Sequence, residues 1–144
     1  MTGTTTVNGQ IIGQAHYATR AVLESLLSRS GTTFNQAVAL NATAADGGAT
    51  ERDRLTGRMT GTLKVDAETA AAAIDALITS GLLTDTGSRL ALTTSGHALQ
   101  RDIRTGTAEI TAGLYADLPA EDLAAAGRVL TTVTERANAV LAAG

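Results

Sequence analysis

The segment from Met59 to Leu99 constrains this chain more than any other. Leu55, Met59 and Leu63 step by four along one face of a helix, although Gly57 and Gly61 each cost it about 1 kcal/mol against Ala. After a tight turn, Asp66 is placed to cap a second helix, with Glu68 favourably at its positive dipole end. Ala70, Ala73, Ile74, Leu77 and Ile78 form that helix's apolar stripe, and Gly81 ends it. "LLT" and "RLALT" then alternate as two short strands around "DTGS", whose Asp and Gly are turn residues. "LALTTSGHAL" leads on into another helix. Helix, turn, helix, hairpin, helix is the build of a winged helix-turn-helix. Yet the presumptive reading helix, "DAETAAAAIDALITS", carries Asp66, Glu68 and Asp75 and neither Arg nor Lys.

The flanks are helical too. Residues 1–9 are Thr- and Gly-rich and expected to fray. Ile12, Ala15, Thr19, Val22, Leu23, Leu26 and Leu27 recur at helical spacing up to Ser30, with Gly31 as terminator. Thr32 or Thr33 can cap a short helix carrying Phe34, Ala37, Val38 and Leu40. "DGGAT" breaks the chain, and Thr50 followed by Asp53 resembles a weak capping box for the next helix. Thr94 or Ser95 opens a long helix to about Tyr115. Pro119 stands at the first position of a last helix, whose apolar face runs through Leu123, Val129, Leu130, Val133, Ala137, Val140 and Leu141.

Composition narrows the function classes. A chain of 144 residues is one domain by length. Phe34, Tyr17 and Tyr115 are its whole aromatic set, so the core must rest on Ala, Leu, Val and Ile. The absence of Cys excludes disulfides and thiolate metal sites. A net charge of −3 gives no global field towards nucleic acid, so any such contact needs a local patch. The N-terminal sequence has neither the basic nor the apolar region of a signal peptide, and no apolar run reaches membrane-spanning length. A cytoplasmic protein is expected, with no membrane contact and no cofactor. No nucleophile, base and orienter fall in a recognisable motif and no phosphate-loop pattern occurs, so no enzymatic activity is expected.

In order and spacing, six helices with a hairpin between the fourth and fifth resemble the MarR family of bacterial transcription regulators. The resemblance runs from about Gln10 to Leu141. "TTFNQAVAL" is similar to the family's second helix. Met59, Leu63, Thr69, Ile74, Asp75, Leu77, Gly81 and Leu82 fall at the family's spacing without a gap. "LALTTSGHAL" matches the string that follows the wing, and "LPAEDLAAAGRVLTTV" the start of the final dimerisation helix. The resemblance implies a mainly α fold with a small β-hairpin wing, forming a single domain over 1–144. Residues 33–93 would be the winged helix-turn-helix lobe, and 10–30 with 95–144 the dimerisation helices. It implies a homodimer on double-stranded DNA, acting as a ligand-responsive repressor. The wing is several residues shorter than the family's, and the helix expected in the major groove offers Thr69, Ala71 and Ala72 where polar or basic side chains are usual.

Candidate DNA contacts follow from that resemblance. Arg52, Arg54, Arg58 and Lys64 would clamp phosphates; the alternative is a solvated helix face whose arginines pair with Glu51 and Asp53. Thr60, Thr62 and Thr69 could bond phosphates or base edges, and Arg89 at the hairpin could probe a minor groove. From Glu51 to Leu92 the basic residues are Arg52, Arg54, Arg58, Lys64 and Arg89. The acidic ones are Glu51, Asp53, Asp66, Glu68, Asp75 and Asp85, which leaves the lobe near neutral. His16, Tyr17 and Arg20, within about one turn of the first helix, would suit a small aromatic or anionic ligand. The alternative, which the residues favour, is that they are dimer-interface or surface residues. His97 reads as a packing residue, and two distant histidines without Cys make no metal site. A second reading keeps the scaffold as a dimeric interaction or ligand-binding protein that has lost sequence-specific DNA binding.

Overall fold

A computed structural model describes residues 5–144, in which six helices and three strands follow one another. Of the Thr- and Gly-rich start expected to fray, residues 1–4 lie outside the described residues. Helix α1 (Gly9–Ser28) starts where the Asn8 side chain accepts the Ile11 N–H at 2.9 Å. It is followed by a turn in which Gly31 takes φ +68°. Thr33 then caps α2 (Phe34–Ala45) in a full capping box: its hydroxyl accepts the Gln36 N–H, and the Gln36 side chain accepts the Thr33 N–H.

The next element corrects the sequence reading. Gly47 and Gly48, at φ +82° and +95°, turn the chain into a third strand, β1 (Ala49–Glu51). Thr50 is therefore a buried strand residue rather than a cap. Its hydroxyl donates to Asp46 Oδ2 at 2.8 Å, and α3 (Arg52–Leu63) begins at Glu51 with no side-chain cap bond. Lys64 closes α3 in the left-handed region, φ 59°, and α4 (Ala67–Thr79) starts on Asp66. Strands β2 (Leu83–Asp85) and β3 (Arg89–Leu92) form the hairpin. The sheet is antiparallel in the order β1-β3-β2, with Glu51 opposite Arg89 and Asp85 opposite Leu90.

Leu27, Leu40, Leu55, Met59, Ile74, Leu77, Leu83 and Leu90 are almost completely buried, one or two from each of α1, α2, α3, α4, β2 and β3. Ala37, Ala39, Ala42, Ala70 and Ala73 fill the spaces between α2, α3 and α4. Small residues at these positions let helices approach closely, which is how so few aromatic residues can still close a core.

Helix α5 (Thr94–Tyr115) is capped by Thr93, one residue before the expected start. The Thr93 hydroxyl accepts the Gly96 N–H at 3.0 Å and donates to Gly81 O at 2.6 Å, while its own N–H bonds Leu82 O at 3.1 Å. Gly96 is buried against that carbonyl, and Gly106 lies against Leu26 of α1. Chain contacts divide the protein into residues up to Ile110 and a second unit, Thr111–Gly144. The second unit contains α6 (Ala120–Ala143), which starts directly after Pro119 and has no buried residue. Leu123, Val129, Leu130, Val133, Val140 and Leu141 are all exposed along it.

Candidate nucleic-acid interface

Helix α4 presents Glu68, Thr69, Ala72 and Asp75 to solvent while Ala70, Ile74 and Leu77 hold it to the core. The Asp66 carboxylate accepts both the hydroxyl and the backbone N–H of Thr69, the latter at 2.7 Å, and its pKa falls below the usual carboxylate value. The Thr69 hydroxyl is thereby engaged by its own helix cap. At the wing tip, Asp85 accepts the Gly87 N–H at 2.9 Å, and Gly87 at φ +102° makes the turn. Asp85 is also depressed, first by its hydrogen bond from Arg52 and then by that from Gly87.

These two carboxyls release their protons more readily folded than unfolded. Their stabilisation is complete above the ordinary carboxylate range, about pH 4, and disappears as pH falls through the lowered folded values. The melting temperature should therefore drop on acidification below about pH 4. An Asp66→Asn/Asp85→Asn variant should show a shallower drop in thermal scans across pH 2–6. An unchanged acid limb would show that other groups control it.

The expected clamp residues are not brought together as one basic surface. Arg54 and Arg58, one turn apart on α3, both turn to Asp46 at the end of α2, at 3.2 and 3.4 Å. Asp46 is only 16% exposed, so the Thr50 hydroxyl and two guanidinium groups surround one carboxylate. Arg52 bonds Asp85 at 3.0 Å and Asp75 at 3.4 Å, not the neighbouring Glu51 or Asp53. The Thr60 hydroxyl donates to Gly57 O at 3.2 Å, and the Lys64 ammonium donates to Gly61 O at 2.6 Å. Thr62 is exposed, beside Arg58 and Met59 on the rim of a cavity of about 310 Å3. Arg89 is different: among the described residues its guanidinium has no ion-pair partner, and it borders an open polar cleft of about 300 Å3 with Glu51 and Arg54.

Sequence reasoning missed Asp46 altogether. The one available signal was the four-residue spacing of Arg54 and Arg58, which places two cations on one helix face able to share an acid. The acid itself comes from across the β1 turn, a relation no helical periodicity reveals.

The order α1 to α4, the three-stranded wing, and the capped α5 and α6 match solved structures closely. MarR from E. coli in its reduced form superposes with a TM-score of 0.69 at 20% identity, over 90% of this chain and 95% of that one. The fold is that of the MarR family. A MarR family regulator from Silicibacter pomeroyi gives 0.67 at 19% identity, covering 85% and 84% of the two chains. BpsR of Bordetella bronchiseptica gives 0.71 at 20%, covering 92% and 98%. No family model and no curated protein matches the sequence. The MarR fold thus persists here with about four residues in five changed, and the polar surface is where this chain must be read on its own terms.

On α1, the His16 and Tyr17 rings lie 5.7 Å apart, and Tyr17 is 72% exposed. Arg20 turns away to Glu24 at 2.6 Å and stacks 4.1 Å over the Phe34 ring. It borders a cavity of about 330 Å3 with Thr32, Thr33 and Asn35, which neither His16 nor Tyr17 lines. The His97 ring covers Gly48: a Cβ there would lie 3.2 Å from the ring. Among the described residues no cluster of three or more His, Asp or Glu could hold a metal, and no helix is long and apolar enough to cross a membrane.

Proposed function

We propose that this chain is a dimeric DNA-binding transcriptional regulator, a repressor whose grip is released by a small ligand. The observation that carries the reading is the wing. A three-stranded sheet holds Arg89 exposed opposite Glu51, with no ion-pair partner among the described residues, in a fold shared with MarR-family regulators. Two lobes in a dimer would place α4 in successive major grooves, about 34 Å apart. Thr69 and Ala72 would meet thymine methyl groups there, Arg89 would enter the minor groove, and Arg54, Arg58, Thr60, Thr62 and Lys64 would follow the phosphates. The exposed apolar face of α6 supports the dimer, since patches of that kind mark interaction surfaces. BpsR is described as having its DNA binding regulated by 6-hydroxynicotinic acid. Here Arg20, with His16 and Tyr17 on the same helix, is the proposed contact for a small aromatic anion. No catalytic role is proposed.

The test is a footprint on the region upstream of the chain's own gene. Arg89→Ala should weaken specific binding tenfold or more with an unchanged melting curve, and Arg58→Ala should do likewise. Undiminished affinity of both variants at moderate salt would sink the assignment. One observation favours the second reading, an interaction protein without sequence-specific DNA binding: Asp46 already engages both Arg54 and Arg58 and offsets one of their two charges. Absence of any specific complex at low salt would decide for it.

A further inference from the structure

Arg52 stands where three separate pieces of the lobe meet. Its backbone N–H donates to Ser88 O at the wing tip, 3.1 Å away. One arm of its guanidinium bonds Asp85 Oδ2 on β2 at 3.0 Å, and the other bonds Asp75 Oδ1 on α4 at 3.4 Å. Asp75 is 66% exposed, on the face α4 shows to solvent. The cluster is the inverse of the one around Asp46. There two arginines share one acid; here one arginine serves two. The Arg52 side chain is also half as exposed as that of Arg54, 32% against 65%, with a donor on each of the two acids.

From this geometry we infer that Arg52 is a positioning residue, not a phosphate ligand: it offsets one of the two charges of Asp75 and Asp85 and holds the wing against α4. The inference rests on the DNA-binding reading and says how an acidic reading helix is tolerated within it. With Arg52 in place the three-residue cluster carries one net negative charge, and without it two, both next to the phosphates that α4 and the wing would approach. A planar guanidinium can serve two carboxylates on different elements at once, whereas a lysine ammonium is a single point charge.

The experiment compares Arg52→Gln in the native chain and in an Asp75→Asn/Asp85→Asn background, using the fragment upstream of the chain's own gene as probe. Arg52→Gln should lower affinity about tenfold while leaving the slope of log K against log salt unchanged, because no phosphate contact is lost. Adding the two Asn substitutions should bring affinity back to within about threefold of the native protein. A triple variant that does not recover, with a slope reduced by about one, would make Arg52 a phosphate ligand and overturn the inference. A second measurement needs no DNA. Exchange of the Gly87 and Thr86 amides in the free protein should quicken in Arg52→Gln and stay quick in Arg52→Lys; unchanged exchange overturns the holding role. Arg52→Met replaces the Gln variant in the binding assay if the latter does not fold. Should the native chain form no specific complex, the DNA reading falls, and amide exchange alone decides whether Arg52 fixes the wing.

Discussion

Gly96→Ala is expected to destabilise the protein by about 3 kcal/mol or more, the upper end of what overpacking costs. A Cβ at that position would lie 2.0 Å from the Leu82 carbonyl oxygen and 3.3 Å from Leu92 Cδ2. The obstacle is backbone, and a pinned one: the same oxygen accepts the Thr93 N–H, so it cannot withdraw without breaking the α5 cap. Gly57→Ala supplies the contrast. Its Cβ would enter open space on a helix interior, and the change should stabilise by up to about 1 kcal/mol. Urea denaturation of both variants reads the pair. Equal and small effects would mean that α5 can slide on the wing root without cost.

Leu130→Asp with Val133→Asp should abolish self-association and reduce DNA affinity a hundredfold or more. The apolar positions of α6 recur at three and four residues, from Leu123 through Leu130, Val133 and Ala137 to Val140, the spacing of a helix seam. Leu130 and Val133 are 40% and 45% exposed, so no core in this unit depends on them. Two carboxylates on that seam would leave a second copy nothing apolar to meet. Splitting the proposed dimer would remove the tethering of its two half-site contacts, an effect worth about 10²- to 10⁴-fold. Sedimentation and a binding titration test both halves. A variant that stays dimeric, or a monomer that binds undiminished, would contradict the prediction.

What the sequence made legible was whatever has a local signature. Asp66, Thr33 and Gly31 announce their helix ends through single-residue chemistry, and the stripe from Ala70 to Ile78 announces a buried face through its period. Strand β1 had no such signature. Three residues behind two glycines form a strand only because β3 lies alongside, and Thr50 joins the sheet with its hydroxyl satisfied by Asp46. The candidate site was least legible for the same reason. That the cations clustered along Arg52–Lys64 is visible in one dimension; that Arg52 answers to Asp75 and Asp85, at separations of 23 and 33 residues, is set by the fold alone. Arg89 was legible because a strand residue that alternates with a buried Leu90, at the edge of a turn, faces outward.

Thr93 has a mechanical consequence. It fastens the first turn of α5 to the two carbonyls, Gly81 and Leu82, from which the wing springs. That turn and the wing root therefore share one fulcrum. The helix that meets Leu26 at Gly106 is thus hydrogen-bonded at its other end to the residues next to Leu83, where the hairpin starts.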